Sequence, residues 1–291
     1  MKLLIFFIVF ISCAGLDEQD SNEPNVVDNN IDNKTVKRKV PPRSLSYSPN
    51  SDKINVANLG SFNSETLDGI NPGVAGTTND EILSITNLCR SGRAAAGQAK
   101  AATLHNKYSK WPTYWNAIGL CYYIQNNNYS AKIFFNKALD INRSFSPAKN
   151  NLGLIAIREQ NWLLARDLFK SAVQLNPASQ VANFNLGRLY LAFGHGNKAS
   201  NHFSRIKDKN FYSKNVLGKH AMAYSMSGNH KKAISLFSKA NDSSESAKLF
   251  KSYSYAKLGK KQEAKAIIST IQVSPNNANY GLFSEVKRII K

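Results

Sequence analysis

The sequence predicts an all-α protein, a solenoid in which helix pairs stack along one axis. Two observations predict it. An alanine recurs every 34 residues, with a phenylalanine four positions after each one: Ala131 and Phe135, Ala165 and Phe169, Ala199 and Phe203, Ala233 and Phe237. Apolar residues around them follow helical spacing, and no stretch alternates as a strand would. Such a period indicates one unit, copied along the chain, that buries its apolar face only against neighbouring copies.

The N-terminus has the pattern of a secretory signal, residues 1–12. Met1 and Lys2 precede the apolar run from Leu3 to Ile11, which is shorter than the roughly 20 residues that span a bilayer. Residues 10–13, Phe-Ile-Ser-Cys, resemble a bacterial lipobox. The resemblance implies an acylated (for example palmitoylated) Cys13 as the first mature residue, and Ala14 after it implies the outer membrane, facing the periplasm. The alternative is ordinary cleavage nearby, which would release a soluble secreted protein.

Composition and charge divide the rest of the chain in two. Residues 13–79 are rich in Asn, Asp, Ser, Pro and Gly, which predicts a disordered tether behind the anchor. Residues 1–77 carry a net charge of −2 and residues 78–291 a net charge of +21, which together give the +19 of the whole chain. The helical part is therefore expected to attract anionic partners.

The helical part begins with two stretches, about 81–90 and 93–108, which predict a degenerate pair or N-terminal cap over 80–111. Five units then cover 112–278, in the register 112–145, 146–179, 180–213, 214–247 and about 245–278. Residues 279–291 predict a last amphipathic helix. We expect it to cap the open end, since terminal repeats need a cover; the alternative is a docking helix for another protein.

The units resemble the tetratricopeptide repeat. Trp115, Gly119 and Tyr122 match the first-helix pattern of that family, and Ala131, Phe135 and Ala138 match its second-helix pattern. The resemblance implies a right-handed α-solenoid that binds protein or peptide partners and is not an enzyme. His220 and Lys251 depart from the pattern, because the family normally has an aliphatic residue there. Packing at these two positions is expected to be looser or partly solvated.

Two cysteines remain after Cys13, Cys89 and Cys121, an even number in an oxidising compartment. Cys121 lies on the first helix of a clear unit and Cys89 on the helix expected to stack before it. The two could form a disulfide or remain buried apolar thiols.

No arrangement in the sequence indicates catalysis. The five histidines do not fall at metal-ligand spacings, and no nucleophile with a base or phosphate-binding glycine loop is recognisable. We therefore expect no enzymatic activity, no cofactor and no metal site.

The resemblance places the first helix of each unit on the concave face and so implies a partner-binding groove. Its residues would be Asn116, Tyr123, Asn150, Asn151, Arg158, Asn185, Arg188 and Lys219. The alternative is a solvated polar face in an asparagine-rich protein. The carboxylate clamp of the family is not expected, because its first asparagine position is occupied by Leu120 or Leu154.

The leading hypothesis is a non-enzymatic scaffold or adaptor, tethered as a lipoprotein in the bacterial cell envelope. It would serve the assembly of an envelope machine: a pilus, secretion, motility or cell-wall complex. The alternative, motivated by the charge of +21, is a binder of anionic envelope polymer such as lipopolysaccharide or cell-wall phosphate. Nucleic acid is not an expected partner, since an exported protein rarely meets it.

Overall fold

The computed structural model describes residues 79–209, 212–240, 242–277 and 279–291. The predicted signal peptide, Cys13 and all of the tether predicted for 13–79 except Asn79 lie outside these residues. The described part forms thirteen α-helices and contains no β-strand. They are α1 Asp80–Arg90, α2 Ala94–Tyr108, α3 Pro112–Ile124, α4 Asn128–Ile141, α5 Ser146–Arg158, α6 Trp162–Leu175, α7 Gln180–Ala192, α8 Gly196–Phe203, α9 Leu217–Met226, α10 His230–Lys239, α11 Glu245–Lys257, α12 Lys261–Ile268 and α13 Tyr280–Ile290.

The helices pack in sequential pairs, which confirms the prediction of an all-α solenoid. In the three pairs α3–α4, α5–α6 and α7–α8, the first helix crosses the second at a glycine. A Cβ atom added at Gly119 or Gly153 would lie 2.6 Å from the ring of Phe135 or Phe169, and Gly187 meets Phe203 in the same way. The glycine lets the phenylalanine ring lie against the backbone of the first helix. The 34-residue alanine and phenylalanine period therefore marks the contact that holds each pair together.

The turn inside each pair is the same in every repeat. One residue there adopts a left-handed backbone conformation, with φ between 58° and 79°: Asn126, Gln160, Gly194, Gly228 and Gly259. Such a residue ends a helix and reverses the chain within a few residues. Glycine is the least strained choice, so the first two repeats hold the same turn with residues that tolerate it less well.

A disulfide joins Cys89 of α1 to Cys121 of α3, with the two Cα atoms 5.1 Å apart. Of the two alternatives that the sequence left open, the structure has the bonded pair. Gly97 of α2 lies directly against the bridge, where a Cβ atom would overlap the Cys89 sulfur. The hydroxyl of Tyr114 also donates to the carbonyl of Ala101 at 2.8 Å. The first pair is thus attached to the first regular repeat both covalently and by a buried hydrogen bond.

The fourth repeat departs from the regular register. Its first helix, α9, begins at Leu217 and is preceded by a π-helical turn, Tyr212–Val216. His220 is only 4% exposed, with its ring stacked on Tyr224 at 4.5 Å between centroids. The looser packing expected at His220 is therefore wrong, because the imidazole fills the position and finds polar partners. Lys251 is half-buried.

Helix α13 packs against α11 and α12 through Leu282, Phe283, Val286 and Ile290. Its exposed face carries Lys287 and Arg288. None of the helices in the described part is both long enough and apolar enough to cross a membrane.

Candidate functional site

The candidate site is the side of the first helices that faces away from the second helices. Numbering each unit from residue 112, 146 or 180, position eight is the glycine against the second helix. Positions five and six hydrogen-bond to the next and the preceding first helix, as in Asn150–Asn185 and Asn151–Asn116. At about 100° per residue, position nine lies between positions five and six around the helix. It therefore lies about 100° around the helix from the glycine, on what we call the inner face.

The inner face combines apolar and polar side chains on successive first helices. Three helices each contribute an i, i+4, i+7 stripe, a spacing that places residues on one helix face. The stripes are Asn116, Leu120 and Tyr123 on α3; Asn150, Leu154 and Ile157 on α5; and Phe184, Arg188 and Leu191 on α7, with Met222 of α9 continuing the series. All ten residues are buried: Leu120 and Leu154 are 0% exposed, Arg188 2% and Met222 5%.

A continuous chain of side-chain amides crosses the inner face from one repeat to the next. Asn185 donates to Asn150 at 2.9 Å, Asn150 donates to Asn151 at 3.3 Å, and Asn151 donates to Asn116 at 2.9 Å. Each carboxamide can donate and accept at once, which is what such a chain requires. The asparagines therefore fix the register between first helices in addition to any role in binding.

Arg158 lies at the edge of this face and is held by α3 and α4. Its guanidinium carbon stacks 3.3 Å from the centre of the Tyr123 ring. The same guanidinium donates to the Tyr123 carbonyl at 2.8 Å and to the Asn128 side chain at 3.1 Å. Burial raises the pKa of Tyr123, and burial lowers the pKa of Arg158. Arg158 and Tyr123 therefore hold adjacent repeats together.

Positive charge is concentrated where α7 meets α9. Burial lowers the pKa of Arg188 to about 10. The pKa of Lys219 is also lowered, first by burial and then by the nearby charge of Arg188, while Asp242 acts in the opposite direction. Among the described residues at this point there are two cations and one carboxylate, a balance that favours an acidic ligand.

The structure buries most of the residues predicted to line the groove. Six of them are buried: Asn116, Tyr123, Asn150, Asn151, Asn185 and Arg188. Arg158 and Lys219 are half-buried. These side chains are not solvated, and the asparagines among them bond to one another between first helices. Their role in partner binding stays a prediction.

The sequence reasoning missed the apolar centre of the same face. Leu120 and Leu154 are equivalent residues 34 apart, and they were noted only as a departure from the carboxylate clamp. The available signal was the composition of α5, which is apolar or small on nearly every side rather than on one stripe. Such a helix is covered all round.

No group of three or more His, Cys, Asp or Glu side chains in the described residues could hold a metal ion. The polar clusters elsewhere in the array join repeats. Ser254 donates to Ser225 at 2.8 Å, and Ser225 donates to the carbonyl of Phe250 at 3.2 Å. All of these atoms are buried between α9 and α11, so the cluster stabilises the stack.

Family models for the tetratricopeptide repeat match residues 112–145 and 156–215. The first of these ranges coincides with the first predicted unit, α3 and α4. Among curated proteins, subunit 3 of the anaphase-promoting complex of Schizosaccharomyces pombe is 24% identical over 135 residues. That alignment covers 46% of this chain and 20% of the length of that relative.

Solved structures show the same fold at low identity. YrrB, described as a tetratricopeptide repeat protein with an unusual peptide-binding site, is 16% identical with a TM-score of 0.54, covering 65% of this chain and 97% of its own. The pilF protein of Pseudomonas aeruginosa is 14% identical with a TM-score of 0.56 and coverages of 72% and 96%. PilW, described as a widely conserved type IV pilus biogenesis factor, is 18% identical with a TM-score of 0.51 and coverages of 73% and 98%.

The matched repeats, the helix pairs and the shared fold agree with one another. Repeats of this kind bind protein or peptide partners and are interaction modules rather than catalytic folds. The chain therefore contains tetratricopeptide repeats, at residues 112–145 and 156–215.

Proposed function

We propose that this protein is a lipid-anchored scaffold of the bacterial cell envelope, which holds protein partners of a larger assembly. The array of stacked helix pairs supplies the interaction scaffold. The observation that carries the envelope location is the disulfide between Cys89 and Cys121. Disulfides persist in oxidising compartments and are rare in the cytosol, in agreement with the leader-like residues 1–12 and the lipobox-like Cys13.

The process that the scaffold serves is a narrower part of the proposal. PilW has the same fold and is described as a type IV pilus biogenesis factor. Pilus assembly is therefore the first process to test, followed by secretion, motility and cell-wall complexes.

The anchor is tested by metabolic labelling with a palmitate analogue followed by membrane fractionation. We expect the wild-type chain to take up label and to fractionate with the outer membrane, since several acyl chains anchor a protein stably. Cys13→Ser should abolish the label. The matched control, Cys89→Ser with Cys121→Ser, should keep it. Equal labelling of wild type and Cys13→Ser would refute the lipid anchor.

The scaffold function is tested by affinity purification from crosslinked envelopes. The expected result is one or a few envelope proteins recovered above a tag-only control. Matched variants on the exposed second helices, such as Leu163→Asp and Tyr129→Asp, show whether binding uses that side; these side chains are 61% and 78% exposed. Repeated recovery of nothing above the control would contradict the proposal.

A second candidate function, binding of anionic envelope polymer, is favoured by a basic surface on the last two second helices. Helix α10 contains no acidic residue, and α12 contains only Glu263. The exposed cations on the two helices are Lys231, Lys232, Lys239, Lys261 and Lys265. This surface faces away from the inner face.

Binding through this surface should weaken steeply as salt is added, because exposed charges are screened. The measurement is co-sedimentation with lipopolysaccharide vesicles at low and high ionic strength. Lys231→Glu with Lys232→Glu should reduce binding more than the charge-matched control Lys110→Glu with Lys137→Glu. Weak association that ignores salt would remove this candidate.

A further inference from the structure

The inner face is covered on a side where no described helix lies. Ten of the thirteen residues of α5 are buried, whereas its partner α6 buries only Ala165, Phe169, Ala172 and Val173. Within the described part, the main helix contacts join helices that are adjacent or next but one in the sequence. Second helices therefore cover one side of α5, and neighbouring first helices cover two more. The remaining side carries Leu154 at 0% exposure, although no described helix crosses it.

We propose that residues 40–78 of the same chain lie along the inner face and act as an internal ligand of the array. The segment joins the array at Asn79, which caps α1 at one end of the stack. First helices pack roughly 8–10 Å apart, so the path from α1 to α9 is about 40 Å. A chain of 39 residues reaches more than about 100 Å when extended, which is ample.

The chemistry of the segment matches the face. Its apolar residues suit the leucine-lined centre: Ile54, Val56, Leu59, Phe62, Leu67 and Ile70. Its net charge is −1, with Asp52, Glu65 and Asp68 available to Arg188 and Lys219. The run at residues 37–39, Lys-Arg-Lys, precedes the segment and is denser in positive charge than any part of it, which contains only Arg43 and Lys53. The cations Arg188 and Lys219 would repel the run, so we begin the segment at residue 40.

An internal ligand changes how a partner binds. Insofar as the proposed scaffold uses its inner face, a partner must displace residues 40–78. The apparent dissociation constant then rises by the inverse of the fraction of molecules in which the face is free. A partner that also binds the released segment would recover part of this cost. The anchor-proximal segment would thus be a regulatory element in addition to a spacer.

The test uses photocrosslinking in the purified full-length chain with no partner present. Benzoylphenylalanine replaces Met222 or Ile157, which lie on α9 and α5 of the inner face. The control replaces Leu163, which is 61% exposed on α6. Far-ultraviolet dichroism checks that each variant remains helical, and two inner positions keep the test available if one variant fails to fold. Peptide mapping identifies the crosslinked residues.

We expect adducts within one molecule, between the inner positions and residues 40–78, at a yield several-fold above the Leu163 control. Adducts of doubled mass that increase with concentration would show a second copy on the face and overturn the proposal. Adducts to residues 14–39, or a yield equal to the control, would also overturn it.

Hydrogen exchange on the wild-type chain gives an independent readout. Backbone amides in residues 40–78 should exchange at least about ten-fold more slowly than those in residues 14–36, since bound segments are protected. Equal rates in the two segments would contradict the proposal. Both measurements use the isolated chain, so their failure would leave the scaffold function and its partner-recovery test untouched.

Discussion

At the scale of single residues, His220 shows how a polar side chain can occupy an apolar position of the repeat. Its Nδ1 lies 2.6 Å from the hydroxyl of Tyr212, and its Nε2 lies 3.2 Å from the hydroxyl of Ser200. The ring is thus partnered on both nitrogens by residues outside α9. Burial lowers the pKa of His220 to about 4, and it has the same effect on His202.

The lowered pKa predicts that stability depends on pH. The unfolded chain, with a histidine pKa near 6.5, binds more protons below that pH than the folded protein does. Stability is therefore complete above about pH 6.5 and falls as the pH drops towards 4. The loss due to His220 is about 3 kcal/mol at 1.36 kcal/mol per pKa unit.

Urea unfolding at pH 7.5 and 4.5 measures this effect. His220→Gln should reduce the pH dependence without abolishing it, because His202 keeps its lowered pKa, and the variant is less stable at neutral pH. The exposed His105 of α2 provides the matched control, His105→Gln, which should keep the wild-type slope. An unchanged slope in His220→Gln would contradict the assignment.

At the scale of elements, the crossing of first and second helices depends on glycine in three of the repeats. Gly153→Ala improves helix propensity by about 1 kcal/mol, but its Cβ would lie 2.6 Å from the Phe169 ring. Overpacking of this kind costs about 1–3 kcal/mol. We therefore expect a net loss of stability, measured as a lower unfolding midpoint.

A double-mutant cycle with Phe169→Leu isolates the contact. The smaller side chain removes the clash, so the double variant should be more stable than the sum of the single effects predicts. Additive effects, or a Gly153→Ala variant more stable than wild type, would show that the ring does not set the crossing.

The sequence correctly predicts the helix pairs that follow the 34-residue period. Ala131, Phe135 and Gly119 recur with their equivalents, so the pairing of helices could be predicted from them. The amide chain could not, because Asn151 and its partner Asn116 lie 35 residues apart and an asparagine-rich composition hides the pairing. The π-helical turn before α9 also has no signal, since the register continues through it in the sequence.

At the scale of the whole molecule, a solenoid is stabilised by contacts between neighbours, so its open ends are its weakest points. Helix α13 covers one end and buries Val286 completely. Val286→Asp should place an unpaired charge in this contact and loosen α11 and α12, at a cost of several kcal/mol. Repeats near the other end should be little affected.

Hydrogen exchange resolved along the chain measures this gradient. In Val286→Asp, protection should fall across α11–α13 and remain in α3–α6. The control Lys291→Asp alters charge at an exposed site on the same end and should leave protection unchanged. A uniform loss across all helices would instead indicate that the array unfolds as one cooperative unit.

The amide hydrogen bonds of the inner face recur at equivalent positions of successive units. Each of the two junctions between the first three units uses an acceptor at position five of one unit and a donor at position six of the next, as Asn116 and Asn185 do. Excising residues 146–179 would bring these two together and form the same bond again. A chain shortened by one whole unit should therefore keep its first helices in register. A cut of any other length would leave one asparagine amide without its hydrogen-bond partner.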